Sequence, residues 1–339
     1  MKCCSVVVLV SVLAASCAPL SGGLTPAPTA VVPTAATEAL GTAGFRDNLT
    51  RGDRFVLEMR GVPALPKDQA YQGWLIGDDG ETAMSVGLIE PDAAGHVTLE
   101  WNSPSGENLI GRYSGFLLTR EPAAGSVQPG DLRVSTGKLD SSALARARQL
   151  FVRNPAQATP PAASSEHDPY SHGLAEPATP LNTAFVIGLV EQSNVAVQHV
   201  QNAVNAAAIG SLPEMRVHLE HVINILEGAG GSRFGDHDGN GQAQNPGDGF
   251  GVRTYAAQIA SLYPDDPPMG AAAQAVQAQI EAVEDQCLDI LKDTPDAATV
   301  TARLDELKVL ANRLQVEAIT GLYQAAQAAV NFQVTPTDK

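Results

Sequence analysis

The chain has 339 residues, with 37 Asp and Glu against 21 Lys and Arg and a formal net charge of −16. That balance argues against nucleic acid as a partner, because phosphates demand a basic face; it suits a solvated surface and cation binding. From Gly173 onward there are 20 acidic and 8 basic residues, so the C-terminal half carries most of the excess, and the length accommodates two domains plus tails.

Residues 1–17 read as a lipoprotein signal peptide. Lys2 supplies a short positive region and Ser5 to Ala15 an apolar run, which is shorter than the roughly 20 residues a membrane span needs. The run ends in Leu13-Ala14-Ala15-Ser16-Cys17, which resembles a bacterial lipobox, with Ala14 where Leu is commoner. Lipid on Cys17 would hold the protein at a membrane surface, facing the extracytoplasmic side, without spanning it. Cys3 and Cys4 leave with the signal, so Cys287 alone remains unmodified and a mature monomer forms no internal disulfide. Residues 18–43 are rich in Pro, Ala and Thr, a composition that buries too little to fold, and read as a disordered tether.

Residues 44–153 carry the period-two pattern of half-buried strands. Phe55, Leu57 and Met59 share one face of Arg54–Arg60, and Val97, Leu99 and Trp101 one face of His96–Trp101. Further strands are expected around Gln72–Ile76, Met84–Ile89, Gly115–Arg120 and Leu132–Ser135. Turn residues separate them at Asp78-Asp79-Gly80, Asp92 to Gly95, Ser103 to Gly106 and Gln128 to Asp131. Short strands at this spacing predict an antiparallel β-sandwich, with Trp74 and Trp101 in its core. A short helix over 141–153, with Arg146, Arg148 and Arg153 around Leu144, Leu150 and Phe151, packs on the sandwich or touches acidic headgroups.

The series Tyr71-Gln72-Gly73-Trp74-Leu75-Ile76, Asp79-Gly80, Ser85-Val86-Gly87, Asp92 to Gly95, Phe116 to Pro122 and Gly125 to Pro129 resembles the C-terminal, extracytoplasmic domain of anti-sigma-K factors. In that family one transmembrane helix joins the domain to a cytoplasmic sigma-binding domain; neither part is read in this sequence. The resemblance implies a sandwich and an extracytoplasmic address, with no catalytic residues and no carry-over of sigma-factor binding.

Residues 154–180 return to Pro, Ala, Ser and Thr and read as a linker. Over 181–333 the period becomes 3.6. Val186, Val190, Ser193, Val197, Val200 and Val204 form one stripe; Met215, Leu219, Val222 and Leu226 another, with Ser211 and Glu214 as a capping box. After a short segment over 253–262 come Val276, Ile280, Val283, Cys287 and Ile290. Thr294-Pro295 then opens a long helix through Val300, Leu304, Leu307, Ala311, Leu314, Ala318 and Ala325. The expected architecture is thus multidomain, all-β plus all-α: a sandwich followed by a four-helix-bundle-like domain interrupted by a glycine-rich loop at 235–251.

That loop holds the densest oxygen chemistry. Asp236, Asp238 and Asn240 stand at alternate positions before Gly241, the first half of an EF-hand-like calcium loop, and Gln242 would add its carbonyl. The second half departs from the pattern: Gly247 stands where a Glu is needed, and Asp248 is the nearest closing carboxylate. His218 and His221, three apart on one helix, and His199 on the preceding helix form a second candidate, for a transition metal or haem between helices, to which His237 could add a ligand. No Cys-x-x-Cys-His, His-Glu-x-x-His, nucleophile elbow or phosphate loop is present. Cys287 lies on an apolar stripe as an inert thiol. The sequence therefore reads as a membrane-anchored lipoprotein of the cell envelope that is not an enzyme. It is a binding or regulatory protein with a protein partner and a calcium-stabilised helical domain. The alternatives are a metal- or haem-binding bundle with a redox or storage role, and envelope sensing related to anti-sigma regulation.

Overall fold

The computed structural model describes residues 40–48, 51–153, 183–292 and 297–337. The signal peptide with Cys17, the linker 154–180 and all but residues 40–43 of the tether lie outside them. The alternating segments become strands: β1 (Gly41–Arg46), β2 (Arg54–Met59), β3 (Gln69–Gly77), β4 (Ala83–Ile89), β5 (Val97–Asn102), β6 (Tyr113–Pro122) and β7 (Arg133–Lys138). On β2 the predicted face is buried, with Phe55, Leu57 and Met59 inward. β5 runs antiparallel to β2 and sets Trp101 opposite Phe55 and Leu99 opposite Leu57. β3 is buried at every residue from Tyr71 to Leu75 because β4 and β6 flank it. Trp74 is a core residue whose indole N–H donates to Thr119 Oγ1 at 2.9 Å, as a buried Trp requires.

The expected sandwich is corrected by an eighth strand, β8 (Phe332–Pro336), at the far end of the chain. Without it the strands would fall into two sets, β5-β2-β1 and β7-β6-β3-β4. β8 pairs antiparallel with β1, Val334 opposite Gly41, and with β7, Thr335 opposite Thr136. The result is one eight-stranded antiparallel sheet in the order β4-β3-β6-β7-β8-β1-β2-β5. Its outer strands β4 and β5 approach each other, so the sheet is a nearly closed barrel, the arrangement that protects unpaired edges.

The basic helix α1 (Ser141–Phe151) begins at Asp140, whose Oδ1 accepts from the N–H groups of Ser142 and Ala143 at 2.9 and 2.8 Å. It buries Ala147, Leu150 and Phe151. Arg148 forks onto Asp78 at 2.7 and 3.0 Å, tying the helix to the β3–β4 turn.

The helical part has six helices among the described residues, rather than four: α2 (Phe185–Ala208), α3 (Leu212–Glu227), α4 (Val252–Leu262), α5 (Pro267–Lys292), α6 (Ala297–Arg313) and α7 (Thr320–Ala329). The segment after the glycine-rich loop is a helix in its own right. The long last helix carries a π turn over Leu314–Ile319, beside which Thr320 Oγ1 donates to the Gln315 carbonyl. Two local expectations also shift. Ser211 occupies the cap position of α3 but makes no side-chain capping bond. The buried face of α2 centres on Ser193, Ala196, Val200 and Ala203, with Val190, Val197 and Val204 half-buried at its side, because small residues let α2 approach its neighbours closely. β strands and helices together form one compact unit, Thr37–Lys339.

Because β8 follows α7 directly, loss of β8 packing is felt in both halves. Phe332→Ala, which empties a buried site on β8, should cost ~3 kcal/mol. In urea melts the tryptophan fluorescence of the sheet and the far-ultraviolet dichroism of the helices should shift to lower midpoint together; a shift in fluorescence alone would show that the halves unfold separately.

Candidate metal centre

The glycine-rich loop is closed at its neck. Gly228 (φ 75°) ends α3 and Gly251 (φ 90°) precedes α4, and both adopt a backbone conformation that side chains rarely take. They lie so close that a Cβ on Gly251 would stand 2.4 Å from the Glu227 carbonyl oxygen, and one on Gly228 2.2 Å from that of Phe250. Ala229 N–H donates to the Gly249 carbonyl at 2.8 Å across this neck.

Inside the loop, α3 supplies a template that sequence reading missed. Glu220, Asn224 and Glu227 are buried polar residues at spacings of four and three, so they share one face of the helix. Glu220 Oε2 accepts from the backbone N–H groups of His237 and Asp238 at 2.7 and 3.0 Å, and Oε1 from Gln244 N–H at 2.8 Å. Asn224 accepts from Gly235 N–H and donates to the carbonyls of Gly235 and Gln244, each at 2.9 Å. Asn245 returns a bond to the Asn224 carbonyl at 2.8 Å. Glu227 accepts from Arg253 Nε at 2.6 Å, and Arg253 continues to Glu284 on α5 at 2.9 Å. Glu284 is fully buried, and burial pushes its carboxyl up to about 8, with Glu227 adding to the shift against the pull of Arg253 and Arg233. The available signal was the run Leu219-Glu220-His221-Val222-Ile223-Asn224-Ile225-Leu226-Glu227, polar residues at helical spacing inside an apolar stretch.

At the tip of the loop the predicted calcium residues fold on themselves. Asp236 accepts from Gly239 and Gly241 N–H at 2.8 Å, Asp238 from Asn240 N–H at 2.8 Å, and Asn240 from Gln242 N–H at 2.8 Å. Gly239 and Gly241 carry the positive φ that this succession of Asx turns requires. Asn240 and Gln242 are exposed. Carboxylate oxygens of Asp236, Asp238 and Glu220 lie within 4.8 Å of one another. Backbone N–H groups, Gly239 first, hold the Asp236 carboxyl below its usual range. Burial raises those of Glu220 and Asp238, and the charge of Asp236 adds to the shift of Asp238. Asp248 lies outside this trio: its Oδ2 accepts from Tyr255 O–H at 2.5 Å and its N–H donates to Gln192. It braces the loop against α2 and α4.

The histidines do converge. His199 Nδ1 lies 3.1 Å from His218 Nδ1 and 3.2 Å from His221 Nδ1. His221 is buried and the other two half-buried. Burial, then the neighbouring His221 and His218, pushes the His199 imidazole down to about 3; burial also lowers His218, with the charge of Glu214 opposing. His237 points elsewhere, its Nε2 meeting the Arg233 carbonyl at 2.7 Å. Cys287 is buried, and burial raises its thiol far above the usual range, the environment of an inert sulfur.

Residues 3–139 match the family model described as anti-sigma-K factor rskA, C-terminal, a stretch that ends just before α1. The helices, the glycine-rich loop and β8 lie beyond the match. No curated protein and no solved structure compared with the chain matches it. Among the described residues, no helix is long and apolar enough to cross a membrane.

Because three loop N–H groups depend on one carboxylate, Glu220→Ala should cost about 3 kcal/mol. Hydrogen exchange at His237, Asp238 and Gln244 should accelerate well beyond that at β-sheet amides; unchanged protection at those three would remove Glu220 as the anchor.

Proposed function

We propose that this chain is a non-catalytic regulatory or binding protein of the bacterial cell envelope. It faces the extracytoplasmic side, is held to the membrane by lipid on Cys17, and carries a loop clamped by calcium. The observation that carries the regulatory reading is the match of residues 3–139 to the C-terminal part of an anti-sigma-K factor. Anti-sigma factors act by binding a protein partner, and a protein partner is the corresponding expectation for this chain. β8 returns to the sheet directly after α7, so the helical part would act as a ligand-responsive extension of the anti-sigma-like sheet.

Calcium enters through the loop tip. Asp236, Asp238 and Asn240 offer oxygens at alternate positions, Gln242 adds a backbone carbonyl, and Glu220 brings a third carboxylate to within 4.8 Å of Asp236 and Asp238. Calcium takes six to eight such hard oxygens. Burial raises the pKa of Glu220 and Asp238, with the charges of Asp238 and Asp236 respectively adding to it, and a divalent cation would stabilise the ionised carboxylates that burial disfavours. Asp248, tied to Tyr255, supports the fold of the loop rather than closing the coordination sphere. The ion is structural in this reading: it stabilises the folded loop by mass action.

Purified protein should melt several degrees higher in millimolar calcium than in chelator, and Asp236→Asn with Asp238→Asn should abolish the difference. Identical melting in both buffers would end the calcium reading. In cells, Cys17→Ser should release the protein from the membrane fraction; retention of the variant there would refute lipid anchoring at Cys17.

A further inference from the structure

The three histidines are brought together by the hairpin of α2 and α3. Only three residues separate the helices, so they run antiparallel and place His199 opposite His218 and His221. Their ring centroids are 4.8 to 5.8 Å apart, with interplanar angles of 56° to 83°. The rings fan around a point instead of stacking. The contacts at that point are Nδ1 to Nδ1, at 3.1 and 3.2 Å. Nitrogens bound tetrahedrally to zinc at about 2.0–2.1 Å stand about 3.3 Å apart, and octahedral coordination brings them to about 3.0 Å; the two separations from His199 lie between, and one ligand nitrogen from each of the three histidines lies within 4.8 Å of the others.

Hydrogen bonding alone serves this cluster poorly. A neutral imidazole has one N–H and one in-plane lone pair, so His199 Nδ1 cannot make a well-directed bond to both neighbours. A cation accepts all three lone pairs at once. A second feature sets those lone pairs: His221 Nε2 lies 3.3 Å from Gln244 Oε1. Donation to that oxygen places the His221 proton on Nε2 and turns the bare Nδ1 toward the cluster, the usual outer support of a metal-bound histidine.

We infer that His199, His218 and His221 bind one divalent first-row transition ion of the zinc class through their three Nδ1 atoms. Calcium does not suit an all-imidazole set, whereas zinc, nickel and copper do. The close convergence of the nitrogens suits a bare ion rather than a porphyrin inserted between them. Three protein ligands leave at least one position for water or a small anion, on the side where His199 and His218 are half-exposed. The ion would bolt α2 to α3 and, through Gln244, to the glycine-rich loop. This site is independent of the calcium reading, since it shares no ligand with it.

The test uses the full mature chain. After exposure to zinc and gel filtration, metal analysis should find one zinc per chain, and cobalt added to metal-free protein should produce the visible absorption of a nitrogen-ligated ion at one equivalent. His218→Ala, at a half-exposed position, should weaken zinc binding by about a hundredfold or more, and Gln244→Ala, a positioning change, by about tenfold. The dichroism of metal-free His218→Ala should stay that of the parent. Asp236→Asn with Asp238→Asn should retain zinc while losing calcium-dependent melting, which separates failure of either site from failure of the other. A parent protein that retains no zinc and gives no cobalt spectrum, or a folded His218→Ala that binds zinc as tightly as the parent, would overturn the inference.

Discussion

The helical half depends on a polar ladder buried along one face of α3. A loop of more than twenty residues, rich in glycine and short of apolar side chains, has little surface to bury and a large conformational entropy to lose. Glu220, Asn224 and Glu227 answer that by accepting or donating to the loop backbone from inside the protein. Each is buried, so an unmet bond there is expensive. The bonds are met only when the loop adopts this path. The ladder thus selects one loop conformation, and it positions both metal-binding candidates: Asp236 and Asp238 sit above Glu220, and Gln244 reaches His221 because Glu220 and Asn224 hold its backbone.

The same ladder runs into the rest of the bundle. Glu227 passes to Arg253 on α4 and Arg253 to Glu284 on α5, so the end of α3, the start of α4 and the middle of α5 share one charge network. Asp248, bonded to Tyr255 on α4 and Gln192 on α2, closes the circuit on the other side. Gly188 on α2 is part of this fit, since a Cβ there would stand 2.1 Å from the Tyr255 ring. Ligand binding at the loop or the histidines would therefore act on a packed, hydrogen-bonded unit, and β8 gives that unit a covalent and hydrogen-bonded route into the sheet.

Particular residues show how far local pattern carries. Alternation identified β2 and β5 because their inward residues are apolar and their outward ones, Val56 excepted, polar. It overlooked β1, Gly-Thr-Ala-Gly-Phe-Arg, whose glycines and alanine carry little pattern, and β8, whose partners lie about two hundred and about three hundred residues away in sequence. The histidine spacing was legible on α3, where three residues apart means one face. That His199 completes the set follows from the α2–α3 hairpin. For Asp248 the sequence offers only its distance from Asp236, whereas the fold sets its carboxylate against Tyr255 and its N–H against Gln192.

The acidic character, the change from period two to period 3.6, the likeness of the N-terminal region to an anti-sigma-K domain, and the Asp-x-Asp-x-Asn-Gly tip are all legible in the residues alone. All of these are local, written in neighbouring residues and in helix or strand periodicity. Tertiary structure made the sandwich one nearly closed sheet, set six helices among the described residues where four were expected, and selected which polar residues of α3 hold the loop. It also decided that three imidazoles meet at their Nδ1 atoms. Those outcomes rest on contacts between distant segments, where the burial of a polar group or the pairing of a last strand selects the partner and no local period records the choice.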